Sequence, residues 1–276
     1  MSAIVPLEPD TRPDGPRRLR AGATLVVGRR AGCSRVRALS EVGGYRARAT
    51  RATDSCEVFL VNPSGGLAGG DSLTLDVSVE PDADLRLTTP TAERVYRSAG
   101  EVTRVDCQLR IGARARLDWL PQQTLLFDGA RFRRRVEADV APDGRLALLE
   151  SYALGRPAHG ERLTCVDVLD HWRIRRDGRL VFAEALRLEG PASELFARPA
   201  LGDGAQAAGT LVYLASDAEA QLGRARRLLA GSGTAGASVC DGMLVVRWLA
   251  PDPLQLCTRL AAFLPEFLAR PLPRGW

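Results

Sequence analysis

An alternation of apolar and polar residues, with a period of two, runs through most of the sequence and constrains its fold more than any other feature. DSLTLDVSV, residues 71–79, places its leucines and valines on one face of a strand and polar side chains on the other. The pattern recurs to about residue 190, and Asp177-Gly178 suits the positive φ of a hairpin turn. A mainly β fold is predicted, in which the chain reverses at such turns. Periodicity alone leaves a sandwich, a barrel and a β-solenoid open.

The last third of the sequence changes to a helical period. DAEAQLGRARRLLAG (217–231) predicts an amphipathic helix that Asp217 can cap. PLQLCTRLAAFLPEFLAR (253–270) predicts a second helix, bent or broken at Pro265, and one strand lies between the two. We expect residues 1–20 to be a flexible segment and residues 21–276 to form a single domain, with a β body over about 21–190.

Charge and cysteine usage narrow the class of protein. The net charge is +5, the sequence contains no lysine, and acids are interspersed among the arginines, so a nucleic-acid footprint is not indicated. No apolar run is long enough to span a bilayer, and the first twenty residues lack the apolar core of a signal peptide. The six cysteines show no metal-site spacing and are too sparse for a secreted disulfide framework. A reduced, cytoplasmic protein that binds neither nucleic acid nor membrane is predicted.

The loop NPSGGLAGGD, residues 62–71, contains four glycines and ends on Asp71. A Walker loop requires a lysine, which the sequence lacks. A Rossmann fingerprint spaces its glycines as G-x-G-x-x-G ahead of a helix, whereas this loop has GG-x-x-GG ahead of a strand. We therefore predict a tight turn whose glycines let the backbone approach its neighbours closely.

The run RFRRR, residues 131–135, is the densest cluster of charge. In a strand, Arg131, Arg133 and Arg135 share one face, while Phe132 and Arg134 share the other. The favoured interpretation is a solvated strand edge that charge protects from aggregation, with an anionic partner surface as the second possibility.

Scattered acids provide the candidates for catalysis. Two of them could form the acid/base pair of a glycosidase, so a β-solenoid carbohydrate-active enzyme is the alternative function. No G-x-S-x-G motif or recognisable triad order is present. From the residues alone, the sequence indicates a mostly β protein without a visible active site.

Five stretches together are typical of one family: NPSGGLAGGDSLTLDV (62–77), LTTPTAERVYRS (87–98), LDWLPQQTLLFDGA (117–130), GRPAHGE (155–161) and LPRGW (272–276). From about residue 20 to its end, the sequence resembles the urease accessory protein UreD family, called UreH in some lineages. It departs from the family pattern at Ser64, where a second proline is common, and at Gly275, where a bulkier residue is common. Glu93 and Arg94 replace a small or polar residue and a lysine, and Glu93 bears most directly on a polar passage.

The resemblance implies a β-helix-like stack of strands, in two layered sheets, with two C-terminal helices and no catalytic activity. Such proteins act in urease maturation: they bind UreF, which recruits the nickel-carrying GTPase UreG, and the assembly docks on urease apoprotein. A dimer of such heterotrimers is the implied accessory complex. No tightly bound cofactor is implied, and Ni²⁺ passes in transit through an internal channel.

The resemblance also suggests which residues serve these roles. The candidates for transient nickel contacts are Asp71, Thr89, Glu93, Glu150 and Glu184. Isolated carboxylates and hydroxyls suit a cation that must be attracted but not retained. For contacts with partner proteins, the candidates are Tyr96 and Arg97 in the TAERVYRS segment and Leu222 and Leu229 on the first of the late helices.

Overall fold

A computed structural model describes residues 18–50, 55–156 and 159–276. This part of the chain contains the strands β1 Arg20–Arg30, β2 Cys33–Val42, β3 Arg46–Thr50, β4 Cys56–Val61, β5 Ser72–Val79, β6 Asp84–Thr88, β7 Glu93–Val95, β8 Thr103–Ile111, β9 Arg116–Trp119, β10 Thr124–Leu126, β11 Arg131–Val140, β12 Arg145–Leu154, β13 Val166–Arg176, β14 Arg179–Gly190, β15 Ala207–Leu214, β16 Ala235–Cys240 and β17 Met243–Ala250. Its helices are α1 Ala192–Ala197, α2 Leu222–Leu229 and α3 Pro253–Leu268. Residues 1–17 lie outside the described residues, and with them most of the segment predicted to be flexible.

The strands form two sheets between which the chain passes back and forth. The first sheet has the order β14-β13-β11-β8-β5-β1-β2, and the second β16-β17-β15-β12-β9-β6-β4-β3. Strands β5, β8, β11 and β13 are parallel neighbours in the first sheet, and β4, β6, β9 and β12 in the second. The short strands β7 and β10 pair with each other, and β10 also pairs with β12, so both belong to the second sheet. The result is a β-solenoid-like stack of about 4 turns, which confirms the predicted mainly β, β-helix-like fold.

The turns between strands do not all form the hairpins that the alternation suggested. Strands β5 and β6 lie in different sheets, as do β11 and β12, so the turn at Pro142-Asp143-Gly144 carries the chain across the core. Strands β13 and β14 do form an antiparallel hairpin, with Asp177 at φ 52° and Gly178 at φ 73°. A period of two shows which side chains face inward, but it does not show whether the next strand pairs with the last or faces it.

An apolar core fills the space between the two sheets. Leu25, Val77 and Leu109 lie in register on three neighbouring strands of the first sheet and are essentially inaccessible to solvent. Leu85 and Leu117 form the equivalent ladder in the second sheet. Each turn of the solenoid therefore adds one layer to the same core, which explains the persistence of the alternation along the sequence.

A second apolar core lies on the opposite side of the second sheet, beneath α2 and α3. Leu149 and Leu211 contribute to it from the sheet, while Leu260, Phe263 and Phe267 contribute from α3. Strand β12 is consequently buried on both faces, so RLALLESYAL loses the clean alternation seen in β5.

The two late helices differ in detail from the prediction. Helix α3 begins at the side-chain cap of Asp252, which accepts a 2.8 Å hydrogen bond from the Gln255 N–H, and it continues without a break through Pro265. Helix α2 is shorter than predicted and starts at Leu222. Asp217 does not cap it, because the N-cap position is Gln221, four residues later; the carboxylate of Asp217 pairs with Arg145. The predicted intervening strand is the hairpin of β16 and β17.

The residues that follow α3 are fastened to the second sheet. Arg270 contacts Asp84 at 3.1 Å and Asp118 at 2.8 Å. The indole N–H of Trp276 donates to the Leu120 carbonyl at 2.9 Å. These contacts hold the end of the described chain against the loop that follows β9.

Replacement of Phe263 by alanine should lower the free energy of unfolding by about 3–5 kcal/mol, because it opens a cavity beneath Trp248 and Phe267, whose rings lie 5.2 and 5.1 Å from the Phe263 ring. Urea unfolding followed by circular dichroism measures the change. Leu254→Ala is the control: Leu254 lies on the same helix but is 76% exposed, so we expect a change within about 0.5 kcal/mol. Equal losses in both variants would contradict the packing of α3 described above.

Candidate functional site

A group of charged and polar residues lies in the core between the sheets, where the alternation places mainly apolar side chains. Arg134 points inward from β11, Glu150 and Tyr152 from β12, and Asp170 from β13. None of the four is more than 7% exposed. We call Arg134, Glu150, Tyr152 and Asp170 the interior cluster.

Arg134 is the centre of the interior cluster. Its Nε and Nη2 donate to the two oxygens of Asp170 at 3.0 and 2.6 Å, which is the bidentate geometry that a guanidinium forms with a carboxylate. Nη2 also donates to the Tyr152 hydroxyl at 2.6 Å, and Nη1 donates to Glu150 Oε2. Arg134 and Asp170 are register partners on adjacent strands, so the parallel ladder itself places the pair together.

Two tryptophans complete the hydrogen bonding of the carboxylates. The Trp119 indole donates to Glu150 Oε1 at 2.8 Å, and the Trp172 indole donates to Asp170 Oδ2 at 3.0 Å. Each of the four carboxylate oxygens in the cluster therefore accepts at least one hydrogen bond, as buried charge requires.

The charge of Arg134 is secured by its surroundings. Burial lowers the pKa of a guanidinium, but the Asp170 and Glu150 carboxylates outweigh burial and raise the pKa of Arg134 above its usual value. The side chain thus remains a fixed positive charge inside the solenoid. The prediction of a solvated strand edge for RFRRR is wrong. Strand β11 is a central strand between β8 and β13, and the charge on Arg134 is compensated from the neighbouring strand and the facing sheet.

Three cavities adjoin this region. An outer cavity of about 30 Å³ is lined by Asn62, Thr89 and Glu93, among others. A middle cavity of about 50 Å³ lies inside the stack and shares Thr89 and Glu93 with the outer one. The third space is an open groove of about 510 Å³, and Glu150 belongs to the walls of both the groove and the middle cavity. Even the smallest exceeds the ~10–15 Å³ that a water molecule requires.

Glu93 and Thr89 lie where the outer and middle cavities meet. Glu93 accepts a 3.0 Å hydrogen bond from the Asn62 amide, and burial raises the pKa of its carboxyl from 4.5 to about 7. The Thr89 hydroxyl accepts from the Gln122 N–H at 2.9 Å. This junction therefore presents a partly protonated carboxylate and a hydroxyl, both of them oxygen ligands.

The remaining predicted acids occupy different positions. Glu184 on β14 lines the open groove and pairs with Arg247. Asp71 lines none of the three cavities; its carboxylate accepts 2.7 Å hydrogen bonds from the N–H groups of Leu19 and Ala68. The structure thus brings Thr89, Glu93 and Glu150 around the middle cavity, places Glu184 on the groove, and uses Asp71 to hold the glycine loop.

The predicted close approach of the glycine loop is present at Gly66. A Cβ atom there would lie 2.5 Å from the Tyr96 ring, and Gly66 has φ 150°. Tyr96 itself donates to the Gly65 carbonyl at 2.9 Å. The loop is a tight turn packed on Tyr96, and no larger residue fits at Gly66.

The four partner-contact candidates differ in accessibility. The Arg97 side chain is exposed and contacts Asp128 at 2.8 Å, and Tyr96 is half-buried. Leu222 is half-buried at the start of α2, whereas Leu229 is buried in the second core. Arg97 is therefore the most accessible of the four.

Within residues 18–50, 55–156 and 159–276, no group of three or more histidine, cysteine, aspartate or glutamate side chains is placed to hold a metal ion. Over the same residues, no helix is both long and apolar enough to cross a membrane. The acids near the cavities are thus arranged singly or against arginine.

Comparison with known proteins assigns the chain to a family. A family model described as UreD urease accessory protein matches residues 19–276. The chain belongs to the UreD family. A urease accessory protein UreD of Methylobacterium sp. (strain 4-46) is 44% identical over 277 residues, covering 96% of this chain and 97% of that protein. The urease accessory protein UreD of Xanthobacter autotrophicus is 47% identical over 246 residues, covering 89% of this chain and 85% of that protein.

Membership in the UreD family makes the chain an accessory protein of urease maturation rather than a catalyst, and it implies partnership with urease and other accessory proteins. The family motifs surround the middle cavity: LTTPTAERVYRS contributes Thr89 and Glu93, and LDWLPQQTLLFDGA contributes Trp119.

Sequence reasoning missed three members of the interior cluster, namely Arg134, Tyr152 and Asp170. A signal was present, because Arg134 shares a face with Phe132, and Asp170 shares one with Trp172. A charged residue at an inward position between apolar neighbours indicates a buried, paired charge.

Wild-type stability should fall relative to that of Glu93→Gln as pH rises. The pKa of Glu93 in the folded chain is about 7, above its ordinary value of 4.5, so the folded state favours the protonated carboxyl. Its stabilising contribution is complete below pH ~4.5 and is lost as pH rises through ~7, by up to ~3 kcal/mol. Urea unfolding at pH 5 and pH 8 measures the difference. Glu101→Gln, at a more exposed acid, is the control for removal of a charge; a pH-independent gap for Glu93→Gln would contradict the assignment.

Proposed function

We propose that this chain is the scaffold and metallochaperone subunit that links UreF, and through it the GTPase UreG, to urease apoprotein. In this role it conducts Ni²⁺ to the urease active site through its own interior. UreG supplies GTP hydrolysis, and the accessory complex is a dimer of heterotrimers in the cytoplasm. Nickel is the cargo of this protein, and no tightly bound cofactor is required.

The observation that supports the passage is the sequence of three cavities joined by shared acids. Glu93 belongs to the outer and middle cavities, and Glu150 to the middle cavity and the groove. A cation that moves along this line meets one carboxylate at each junction. Glu184 then stands on the groove, where Arg247 holds it.

The chemistry of these ligands suits transport. Thiolate and imidazole bind nickel more strongly than carboxylate or hydroxyl, so a cluster of them would retain the ion. Single oxygen ligands in succession let a cation enter and leave, as in ion channels. The thiol of Cys107 also lines the middle cavity, but burial raises its pKa to about 12, so it is protonated and a poor ligand.

The alternative of a carbohydrate-active enzyme has less support. Glu150 and Asp170 are two buried acids near one another in the interior, but both are hydrogen-bonded to Arg134. A general acid needs a carboxyl that exchanges its proton with substrate, and a carboxylate held by arginine is ill suited to this. Membership in a family of accessory proteins favours the maturation role further.

Glu93→Gln should lower the initial rate of nickel incorporation into urease apoprotein several-fold, because the amide preserves shape while it removes the charge that attracts the cation. The assay combines the accessory complex, bicarbonate, GTP and Ni²⁺, and it measures nickel bound to purified urease. Glu101→Gln removes an exposed carboxylate that lines none of the three cavities and should leave the rate unchanged. Complex assembly must be equal in all samples. Unaltered metallation with Glu93→Gln would refute the passage.

Arg97→Glu should weaken capture of UreF in a pull-down by at least ~5-fold if the TAERVYRS segment contacts that partner, since an exposed arginine is a residue type enriched at binding hot spots. The matched control is Arg187→Glu, because Arg187 is similarly exposed and also contacts an acid, Glu189. Equal capture by the two variants would place the UreF contact elsewhere, with Leu222 on α2 as the next candidate.

A further inference from the structure

The guanidinium of Arg134 stands at the boundary between the middle cavity and the groove. Arg134 and Glu150 line the middle cavity, whereas Glu150, Tyr152 and Asp170 line the groove. The interior cluster is therefore the partition between the two spaces. Any cation that crosses from one to the other must pass this group of side chains.

The partition already contains a positive charge, the guanidinium of Arg134. Two carboxylates and one guanidinium give the interior cluster a formal charge of −1, and Arg134 takes up the space between the acids. A second cation beside Glu150 would meet the fixed positive charge of Arg134 at short range in a medium of low dielectric. It would also find every carboxylate oxygen already accepting a hydrogen bond.

The two contacts of Arg134 are unequal. Its contact with Asp170 is bidentate. Tyr152 stabilises this contact, because its hydroxyl donates to Asp170 Oδ2 at 2.7 Å. Its contact with Glu150 is made through Nη1 alone. Glu150 keeps the Trp119 hydrogen bond when that contact breaks. Release from Glu150 thus costs less than release from Asp170 and leaves both acids positioned.

We propose that Glu150 is a site for a small divalent cation that Arg134 occupies at rest, and that a cation crosses between the cavities by displacing Arg134 from Glu150. Asp170 retains the guanidinium during the exchange, so the side chain returns once the cation has left. Arg134 is thereby the gate of the passage. This inference rests on the passage proposed above.

The test is the variant Arg134→Gln/Asp170→Asn, which removes one positive and one negative charge and keeps the cluster at −1. Glu150 then faces the cavity without a competing cation. We expect the initial rate of Ni²⁺ incorporation into urease apoprotein to rise roughly tenfold, which corresponds to ~1.4 kcal/mol. A purely structural ion pair predicts a rate equal to or below that of the wild type, and such a result overturns the gate.

The control is a similar trio outside the passage. Arg145 donates to Asp217 at 3.2 Å and to the Tyr213 hydroxyl at 2.7 Å, and these residues line none of the three cavities. Arg145→Gln/Asp217→Asn makes the same chemical change there and should leave the rate unchanged. Assembly with the accessory partners and thermal unfolding confirm that each variant is folded.

Arg134→Lys decides the question if the double variant does not fold. A single ammonium keeps the charge but lacks the fork that spans both acids, so we expect a smaller rise, of about 2–3-fold. A rate at or below wild type in this variant also overturns the gate. If Glu93→Gln leaves metallation unchanged, the passage itself fails; if Glu93→Gln lowers metallation while the Arg134 variants do not raise it, only the gate fails.

Discussion

The enclosed space between two stacked sheets is the constraint on which the rest of this structure depends. Every inward position on a solenoid strand meets the facing sheet, so a charge placed there must find its partners within the protein. Arg134 meets this requirement through the neighbouring strand, which supplies Asp170, and the facing sheet, which supplies Glu150 and Tyr152. The same parallel register that builds the apolar ladders thus also builds the interior cluster.

The core contains a cavity beside its buried charges. The middle cavity lies beside the interior cluster, and its walls combine leucine and valine with Thr89, Glu93 and Glu150. Close-packed apolar interiors exclude voids of this size, whereas a polar lining can hold water. The proposed transit of a hydrated cation depends on this mixed lining. The apolar side chains hold the two sheets together, and the few oxygen ligands offer favourable contacts to a cation.

Much of the fold was predictable from the sequence, and the reasons for the failures are physical. The alternation correctly identified the inward residues of β5, and the helical period correctly located α3. The alternation did not reveal that β11 and β12 face each other across the core. A turn of a few residues can join two strands that pair in one sheet or two strands that lie in facing sheets. Asp217 was expected to cap a helix, but the helix begins only at Leu222, and the carboxylate of Asp217 pairs with Arg145, which is distant in the sequence.

The site was predictable only in part. Thr89, Glu93 and Glu150 came from family motifs and strand ends, and the structure brings them around one cavity. Asp71 is in a family motif as well, yet its carboxylate binds backbone amides, a role that spacing in the sequence does not distinguish from ligand binding. The shared face of Asp170 and Trp172 indicates locally that Asp170 is buried, but its pairing with Arg134 depends on register between two different strands, which no local pattern encodes.

The burial of β12 on both faces has a consequence for biosynthesis. The solenoid turns can stack in the order in which they leave the ribosome, but the helix that covers the outer face of β12 is the last element of the described chain. Until translation reaches residue 268, an apolar surface formed by Leu149 and Leu211 faces water. The nascent chain therefore carries an aggregation hazard until α3 has been synthesised and covers this face, which is the stage at which cellular chaperones have most to protect.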